Sequence, residues 1–461
     1  MSDEVDLLVI GAGTAGLAAA LGAARRGARV VLATDSPPGG DCTFTGCVPS
    51  KTLIAAGAAG QSFAQATARV RAAIEVVAAT ESVEVLRGKG VDVRLGRAVF
   101  TGPRTVDLDG TVLRPERVVL ASGSGPVVPV VDGLDGVPYL TNESVFGLTA
   151  LPGHLVVLGG GAIGCELAQA FRRLGSDVTV VEGAPRLLGK EEPRAGAVVK
   201  AALEADGVVV RTGAAVTRAE RDGDQVRLHL QDGTTVGPGV LLVAVGRRPS
   251  TDGLGLDRAG IDVAQDGRVV TDDRLRTTAR GVWAAGDVTG LLPFTHAADV
   301  MGRLAGGNAF ARGRGGRFSA KAIPWVTFTD PEVGRVGMTE AQAAGQVTGA
   351  RVVERSMTEV DRAITAGRTE GFVKLVVGPR TLTRDAAGGR VLGATVVCPG
   401  GGELMAEITL AIRTGMFAGR LAQSTHAYPT WSLAVQQCAA QLFGYGSSGP
   451  RPARTESSEQ G

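Results

Sequence analysis

Hydrophobic and polar positions along the chain follow a pattern that occurs twice. Residues 7–35 and residues 155–183 align without a gap. Each copy contains a short apolar run, a glycine-rich loop, an alanine-rich stretch and a second apolar run. This order predicts a strand, a loop, a helix and a second strand, which together form a βαβ unit. The repeat therefore predicts an α/β fold with two similar dinucleotide-binding domains.

The glycines of the two loops have the spacing of a phosphate-binding loop. They are Gly11, Gly13 and Gly16 in the first copy and Gly159, Gly161 and Gly164 in the second. Glycine permits the tight turn and lets the backbone approach a pyrophosphate, while the following helix supplies unpaired N–H groups at its N-terminus. One such loop is weak support because glycine turns are common, whereas two in register predict two bound dinucleotides.

The last third of the chain has a different pattern. Apolar runs such as 373–377 predict strands of an antiparallel sheet, and residues 402–414 and 432–443 predict helices that pack on it. These elements predict an α+β unit over residues 321–445. Residues 446–461 have no apolar periodicity, which predicts a disordered tail.

Composition narrows the possible partners. The net charge of the 461 residues is +2, which gives no electrostatic reason to expect nucleic acid or an anionic membrane as a partner. No apolar run reaches the roughly 18 residues of a membrane span, and the first residues do not resemble a signal peptide. We therefore expect a cytoplasmic protein. Three of its five cysteines, Cys165, Cys398 and Cys438, are isolated in sequence and predicted to be buried apolar side chains.

The other two cysteines lie close together, soon after the first glycine loop. Cys42 and Cys47 are separated by four residues in the segment 39–51, Gly-Gly-Asp-Cys-Thr-Phe-Thr-Gly-Cys-Val-Pro-Ser-Lys. A dinucleotide cofactor can receive a hydride, and a close pair of thiols can pass two electrons on. In a reducing compartment such a pair is more often catalytic than structural.

This segment resembles the redox-active disulfide of the class I pyridine nucleotide-disulfide oxidoreductases. These flavoprotein disulfide reductases include dihydrolipoamide dehydrogenase, glutathione reductase and mercuric reductase, and the resemblance extends over most of the chain. It implies FAD at the first loop, NAD(H) or NADP(H) at the second, a homodimer, and a small-molecule electron acceptor. The implied domains are an FAD-binding domain of residues 1–150 and 281–320, an NAD(P)-binding domain of residues 151–280, and a dimerisation domain of residues 321–445.

The resemblance also implies roles for the thiol pair and its neighbours. Cys47 corresponds to the thiol that contacts the flavin, and Cys42 to the thiol that exchanges with substrate. A helix predicted to begin near Pro49 would lower the thiolate pKa. Lys51 corresponds to a lysine near flavin N5 that pairs with a glutamate, which matches Glu166.

Further residues are expected at the cofactors. The segment 282–288, Val-Trp-Ala-Ala-Gly-Asp-Val, resembles a second flavin motif, in which Asp287 would bind the ribitol or ribose side of FAD. Gly286, Gly123 and Gly246 are predicted to lie at the cofactors as well.

The residue after the second predicted strand of each repeat is expected to contact the ribose of the bound nucleotide. Glu182 would accept a hydrogen bond from a ribose 2′-OH and repel a 2′-phosphate, which favours NADH over NADPH, although Arg186 lies close in sequence. The first repeat has Thr34 at the matching position and Asp35 one residue later. Asp35 is predicted to bind the FAD ribose, with a simple turn residue as the alternative.

The C-terminal motif departs from the family. Related reductases have His-x-His-Pro-Thr-x-x-Glu, in which the second histidine and the glutamate form an acid–base dyad that serves the partner subunit. Here Tyr428 replaces that histidine and Leu433 replaces the glutamate, while His426 occupies the position that is not the base. A phenol is a poor acceptor of a thiol proton at neutral pH. Tyr428 is therefore expected either to donate a hydrogen bond to a substrate oxygen or to pack.

These features predict an FAD enzyme near the mercuric-reductase-like and dihydrolipoamide-dehydrogenase-like branch. It would pass two electrons from NADH through the flavin to the Cys42–Cys47 disulfide. The acceptor stays open among a small disulfide, a quinone and a metal ion. The alternative hypothesis is a redox-sensing or partner-binding flavoprotein without rapid turnover, which the loss of the usual base would suit.

Overall fold

The structure is a computed structural model that describes residues 5–379, 386–446 and 448–455. Its strands are β1 (Leu7–Ile10), β2 (Val30–Thr34), β3 (Val91–Leu95), β4 (Ala98–Gly102), β5 (Thr105–Leu108), β6 (Thr111–Leu113), β7 (Val118–Leu120), β8 (Ser124–Pro126), β9 (His154–Leu158), β10 (Asp177–Glu182), β11 (Val209–Thr212), β12 (Val216–Asp222), β13 (Gln225–Leu230), β14 (Thr235–Val243), β15 (Arg247–Pro249), β16 (Val282–Ala284), β17 (Pro324–Thr327), β18 (Glu332–Gly337), β19 (Arg351–Ser356), β20 (Phe372–Gly378), β21 (Arg390–Cys398) and β22 (Arg451–Pro452). Its α-helices are α1 (Thr14–Ala24), α2 (Gly40–Phe44), α3 (Cys47–Ala58), α4 (Phe63–Thr80), α5 (Val83–Gly88), α6 (Ala162–Arg173), α7 (Pro193–Ala205), α8 (Leu256–Ala259), α9 (Thr295–Ala309), α10 (Glu340–Gln346), α11 (Asp361–Thr365), α12 (Met405–Thr414), α13 (Ala418–Gln423) and α14 (Leu433–Ala440).

The chain forms two compact units. The first contains the chain up to Val130, Tyr139–Leu151 and Leu242–Ser319. Its main sheet has the strand order β16-β7-β1-β2-β3, and all of its strands are parallel. The strands β1, β2 and β7 are buried throughout, as expected where helices cover both faces of a parallel sheet. The predicted first dinucleotide-binding fold is therefore confirmed.

The last segment of the first compact unit is Leu242–Ser319. Residues 242–280 were expected in the NAD(P)-binding domain, but they belong to the first unit. Their buried apolar side chains, which include Leu256, Ile261 and Val269, pack in one core cluster with Leu8 and Val118. Burial of these side chains determines the boundary, and short apolar runs in the sequence carry no mark of which sheet they will cover.

The second unit contains Val131–Pro138, Pro152–Leu241 and the chain from Ala320 onward. One of its sheets has the order β11-β10-β9-β14-β13-β12, in which β9, β10 and β11 are parallel. This sheet and helix α6 form the predicted second βαβ unit. The other sheet is antiparallel, with the order β17-β18-β21-β20-β19-β22, and helices α12 and α14 contribute to the core beside it. The predicted α+β unit is confirmed.

A buried ion cluster lies within the second unit. Lys374 of β20 donates to Glu192 and to Glu340, at 3.0 Å in each case, and all three side chains are less than 5% exposed. Burial would lower the pKa of Lys374, but the surrounding carboxylates raise it above its usual value. Removing one partner would leave a buried charge uncompensated, which is strongly destabilising.

The predicted disordered tail contains an ordered strand. Arg451 and Pro452 pair antiparallel with Val352 and Arg351 of β19, and the Arg451 guanidinium binds Glu340. The prediction of disorder is wrong for these residues, because backbone pairing and one ion pair provide order that apolar periodicity does not reveal. Residue 447 and residues 456–461 of the predicted tail lie outside the described part of the chain.

Candidate redox site

The first glycine loop lies between β1 and α1. A Cβ atom added at Gly16 would lie 1.8 Å from the carbonyl oxygen of Gly11, so no other residue fits there without movement of the backbone. Gly13 caps α1 without any side-chain hydrogen bond, and the space beside it is open. The first amides of α1 therefore face a position where a pyrophosphate can approach.

The second loop repeats this geometry between β9 and α6. A Cβ atom added at Gly164 would lie 2.0 Å from the oxygen of Gly159, and Gly161 caps α6 without a side-chain hydrogen bond. Glu182 ends β10, and its carboxylate accepts hydrogen bonds from the amides of Gly160 (2.6 Å) and Ala184 (2.7 Å). The negative charge of Glu182 is thus held at the loop.

The residues after β2 differ in exposure. Thr34 is buried, and its hydroxyl donates to the carbonyl of Ser36 at 2.9 Å. Asp35 is exposed directly beyond the strand. Binding of the FAD ribose by Asp35 stays a prediction.

The two thiols of the Cys-x4-Cys motif are neighbours. Cys42 lies in the short helix α2 and Cys47 is the first residue of α3, and both are half-buried free thiols. The Sγ atom of Cys47 lies 3.4 Å from the hydroxyl of Thr295, the first residue of α9. Sequence reasoning missed Thr295, because nothing in the chain pairs residue 295 with residue 47.

The pKa of the Cys42 thiol is raised, not lowered. The causes are its hydrogen bond to Cys47, burial, and the charge of Cys47, and a hydrogen bond with Thr295 acts in the opposite direction. Cys42 lies inside α2 rather than at the start of α3, where the predicted helix N-terminus lies. Two thiols that share one proton do not both ionise easily, so the pair holds one thiolate more readily than two.

A network of polar side chains connects the thiol segment with Asp287. Gly286 has φ of 80° and turns the chain after β16, so that Asp287 follows at once. Asp287 accepts a hydrogen bond of 2.6 Å from the hydroxyl of Ser124. Arg247 donates to the same hydroxyl at 2.9 Å and also binds Asp41, the residue before Cys42. Burial raises the pKa of Asp287, against the effects of Ser124 and Arg247.

Strands β8 and β15, which carry Ser124 and Arg247 of this network, each follow a glycine that was predicted to lie at a cofactor. Gly123 precedes β8 and Gly246 precedes β15, and both have positive φ. The two strands pair antiparallel, with Arg247 opposite Pro126. Sequence reasoning singled out the glycines but missed Arg247, for which the only local signal is the sequence Gly-Arg-Arg-Pro after a long apolar run.

Lys51 and Glu166 lie in different compact units. Lys51 is half-buried in α3. Glu166 is 4% exposed in α6, and its Oε1 accepts a hydrogen bond of 2.8 Å from the amide of Phe328. Glu166 is therefore a buried carboxylate and not a residue of the helix surface. Its pairing with Lys51 stays a prediction.

The C-terminal motif places its two candidate side chains against carboxylates. Tyr428 is 70% exposed, and its hydroxyl donates to Asp361 at 2.9 Å. That hydrogen bond raises the pKa of Tyr428, which makes the phenol still less able to serve as a base. Leu433, in place of the usual glutamate, begins α14.

His426 is held by two acceptors. Its Nδ1 lies 3.0 Å from the carbonyl oxygen of Ser424, and its Nε2 lies 3.1 Å from Oε2 of Glu407. Each ring nitrogen of His426 therefore already has an oxygen atom within hydrogen-bond distance. Glu407 lies far from the motif in sequence and was missed.

The remaining cysteines are buried, as predicted. Cys165, Cys398 and Cys438 are each inaccessible to solvent. Burial raises the pKa of Cys398 to about 12 and raises those of Cys165 and Cys438 as well. Among the described residues, no group of three or more histidine, cysteine, aspartate or glutamate side chains could hold a metal ion. In the same part of the chain, no helix is long and apolar enough to cross a membrane.

Comparison with known families gives the same assignment for both parts of the chain. Residues 5–302 match the family described as pyridine nucleotide-disulphide oxidoreductase, and residues 323–439 match the dimerisation domain of that family. The chain belongs to the pyridine nucleotide-disulphide oxidoreductase family. The family implies that the protein is an oxidoreductase that uses a flavin and a pyridine nucleotide.

Individual relatives come from more than one branch of the family. The chain is 36% identical to a mercuric reductase of Streptomyces lividans, with 95% of this chain and 96% of the relative covered. It is 34% identical to a dihydrolipoyl dehydrogenase of Thermus scotoductus, with 95% and 97% covered.

Similar solved structures are also flavoproteins of this kind. One is the Cu(II) complex of the HOCl-induced flavoprotein disulfide reductase RclA from Escherichia coli, at TM-score 0.87 and 29% identity, with 96% of this chain and 100% of that chain covered. Another is LpdA from Mycobacterium tuberculosis, at TM-score 0.84 and 31% identity, with 95% and 100% covered.

The residues present fit the two cofactors that the family implies. The first loop leaves helix amides open beside Gly13, and Oδ1 of Asp287 has no hydrogen-bond partner in the part of the chain that the structure describes. These are the donors and the acceptor that FAD would use. The second loop offers the same open amides, together with the fixed carboxylate of Glu182.

Proposed function

We propose that this protein is an NADH-dependent FAD oxidoreductase that passes two electrons through Cys42 and Cys47 to a thiophilic metal ion. The observation that carries the proposal is the hydrogen-bonded thiol pair in the same compact unit as the first glycine loop and Asp287. Bound FAD would supply a two-electron carrier between the nicotinamide and sulfur.

The thiol pair is suited to two-electron transfer. When its two S–H bonds are replaced by one S–S bond, two electrons and two protons leave the pair. Both cysteines are half-buried, and the Thr295 hydroxyl can donate to a thiolate on Cys47. We assign Cys47 as the flavin-side thiol and Cys42 as the thiol that meets the acceptor.

The choice of a metal ion follows from what the site lacks. Exchange with a small disulfide releases a thiolate that must be protonated, and a general acid–base group accelerates such steps about 10²- to 10⁴-fold. Tyr428 hydrogen-bonds to Asp361, and both ring nitrogens of His426 face acceptors, so neither is a good base. A soft metal ion needs only the two sulfurs as ligands.

The relatives support this choice without deciding it. Mercuric reductases are among them, and RclA has been solved with Cu(II). With copper as acceptor, one NADH would reduce two Cu(II) ions to Cu(I), with release of NAD⁺ and one proton. With mercury, one NADH would reduce one Hg(II) ion to the metal.

The nucleotide and the assembly are part of the proposal. Glu182 supports NADH, because a carboxylate held at the loop accepts from a 2′-OH and repels a 2′-phosphate. Asp35 is proposed at the FAD ribose, and Lys51 with Glu166 at the flavin ring. The match to the family's dimerisation domain supports a homodimer, which light scattering of the purified protein can test.

The deciding experiment is NADH oxidation against a panel of acceptors: Cu(II), Hg(II), lipoamide, glutathione disulfide and a quinone. We expect the metal ions to give the fastest turnover in the wild type and to lose it in Cys42→Ser. Metal turnover that survives Cys42→Ser, or a disulfide or quinone as the best acceptor, would contradict the proposal. No turnover with any acceptor would favour the redox-sensing alternative.

A further inference from the structure

Arg247 contacts both ends of the network beside the thiol pair. Its side chain is 18% exposed, and it begins β15. The Nε atom donates to the Ser124 hydroxyl at 2.9 Å, and Nη2 donates to the Ser124 carbonyl and to Oδ2 of Asp41. One planar guanidinium therefore holds acceptors from two separate parts of the first unit.

The contact between Arg247 and Asp41 connects Arg247 to the loop between Cys42 and Cys47. Asp41 accepts from the Thr45 hydroxyl through Oδ1 (3.2 Å) and from the Thr45 amide through its carbonyl (2.9 Å). Thr45 lies between Cys42 and Cys47. The position of Asp41 thus sets the course of the short segment that separates the two sulfur atoms.

The contact between Arg247 and Ser124 connects Arg247 to Asp287, the residue expected to bind FAD. The Ser124 hydroxyl that accepts from Arg247 donates in turn to Oδ2 of Asp287 at 2.6 Å, and the Arg247 Nε atom lies 4.0 Å from the same oxygen. Asp287 is therefore fixed through one oxygen, and its other oxygen stays available to a ligand.

We propose that Arg247 is a positioning residue that holds the thiol loop and Asp287 in one geometry. It touches neither the sulfurs nor the reacting atoms, and it acts through Asp41 and through Ser124. This inference rests on the proposed function, in which Cys42 and Cys47 form the redox couple.

The physical consequence is a shift in the thiol–disulfide equilibrium. A disulfide resists reduction when the dithiol formed from it still holds the two sulfur atoms close together. A looser dithiol gains more conformational freedom on reduction, and this gain favours the reduced form. Without Arg247 the loop at Thr45 loses its fixed anchor at Asp41. The reduced form then gains freedom, and the disulfide becomes easier to reduce.

The test compares four single variants: Arg247→Met, Asp41→Asn, Ser124→Ala and, as a matched control, Arg248→Met. Arg248 is the next residue of the same strand, with a side chain 57% exposed that pairs with Asp252. Two quantities are measured in each: the equilibrium of the Cys42–Cys47 couple with dithiothreitol, by counting free thiols, and the affinity of the apoprotein for FAD, by flavin fluorescence.

We expect Arg247→Met to change both quantities. The thiol equilibrium should move about tenfold toward the dithiol, or about 30 mV, and FAD should bind about tenfold more weakly. Asp41→Asn should change only the thiol equilibrium, and Ser124→Ala only FAD binding. The double variant Arg247→Met with Asp41→Asn should shift the thiols no further than Arg247→Met alone. Arg248→Met should match the wild type in both.

Two results would overturn the inference: either quantity in Arg247→Met equal to that of Arg248→Met, or thiol shifts of Arg247→Met and Asp41→Asn that add. Should Arg247→Met fail to fold, Arg247→Lys takes its place, and it should give shifts of the same sign but smaller size, because one ammonium cannot hold both acceptors. If the wild-type cysteines form no disulfide at all, the redox assignment fails and this inference fails with it. If the wild-type thiol–disulfide couple is normal and Arg247→Met changes neither quantity, the inference about Arg247 fails while the redox assignment stands.

Discussion

The thiol segment and the C-terminal motif carry the two halves of the chemistry that the family performs, and they have diverged to different degrees. Around Cys42 and Cys47 the spacing, the following helix and Lys51 all match the family pattern. Around Tyr428 the base and its carboxylate are both replaced, and the remaining side chains are tied to Asp361 and Glu407. The thiol segment therefore keeps the family pattern while the C-terminal motif departs from it, which agrees with our proposal that the acceptor differs from lipoamide and glutathione disulfide.

The largest expected effect comes from substitutions within the thiol segment itself. Cys42→Ser and Cys47→Ser should each lower acceptor turnover about a thousandfold or more, because neither sulfur can complete a disulfide alone. The two variants should differ in absorbance. Cys42→Ser should keep the long-wavelength charge-transfer band of a thiolate beside bound flavin, and Cys47→Ser should lose it. A band that survives Cys47→Ser would reverse the assignment of the two thiols.

The second prediction restores the C-terminal motif. The double change Tyr428→His with Leu433→Glu should raise lipoamide turnover about a hundredfold, because it supplies a base and the carboxylate that orients it. Reduction of the flavin by NADH, followed by stopped-flow absorbance, should stay at the wild-type rate. Each single change should give less than the pair. Wild-type lipoamide turnover as fast as that with the best acceptor would show that a base is already present.

The third prediction concerns the donor side alone. The wild type should prefer NADH to NADPH by about ten- to a hundredfold in kcat/KM, because a carboxylate at the proposed ribose position, Glu182, would repel a 2′-phosphate. Arg186→Gln serves as a control and should leave NADH kinetics unchanged. A higher kcat/KM with NADPH in the wild type, lost in Arg186→Gln, would show that Arg186 outweighs Glu182.

The smallest effect concerns the coupling between the thiols. Because Cys47 raises the pKa of Cys42, Cys47→Ser should lower the pKa of Cys42. At a fixed pH below that pKa the thiolate fraction rises, so alkylation of Cys42 by iodoacetamide should become up to about tenfold faster. The comparison is the pH profile of Cys42 alkylation in the wild type, read by mass spectrometry. An unchanged profile would mean that burial alone sets the pKa.

Sequence reasoning identified the elements that local patterns encode. The two glycine loops, the thiol pair and the α+β unit follow from residues that are close together in the chain. It could not identify Arg247 as the partner of Asp41, or Glu407 as the partner of His426, because such pairs meet only when distant elements pack. The predicted end of the second dinucleotide-binding segment, at residue 280, stays a prediction. The apolar side chains of Leu256 and Ile261 would suit either core, and only the fold decides which one they enter.

The short strand β22 affects whether separate molecules of this protein aggregate. Without it, β19 would be the outer strand of a five-stranded antiparallel sheet, with backbone N–H and C=O groups exposed in a row. Such edges recruit strands from other chains and start aggregation. Arg451 and Pro452 cover the beginning of this edge, and Pro452 has no N–H with which to extend the pairing outward. A chain shortened to Gly446 would therefore be expected to lose solubility on standing at high concentration, and to be less stable because buried Glu340 would lose its ion pair with Arg451.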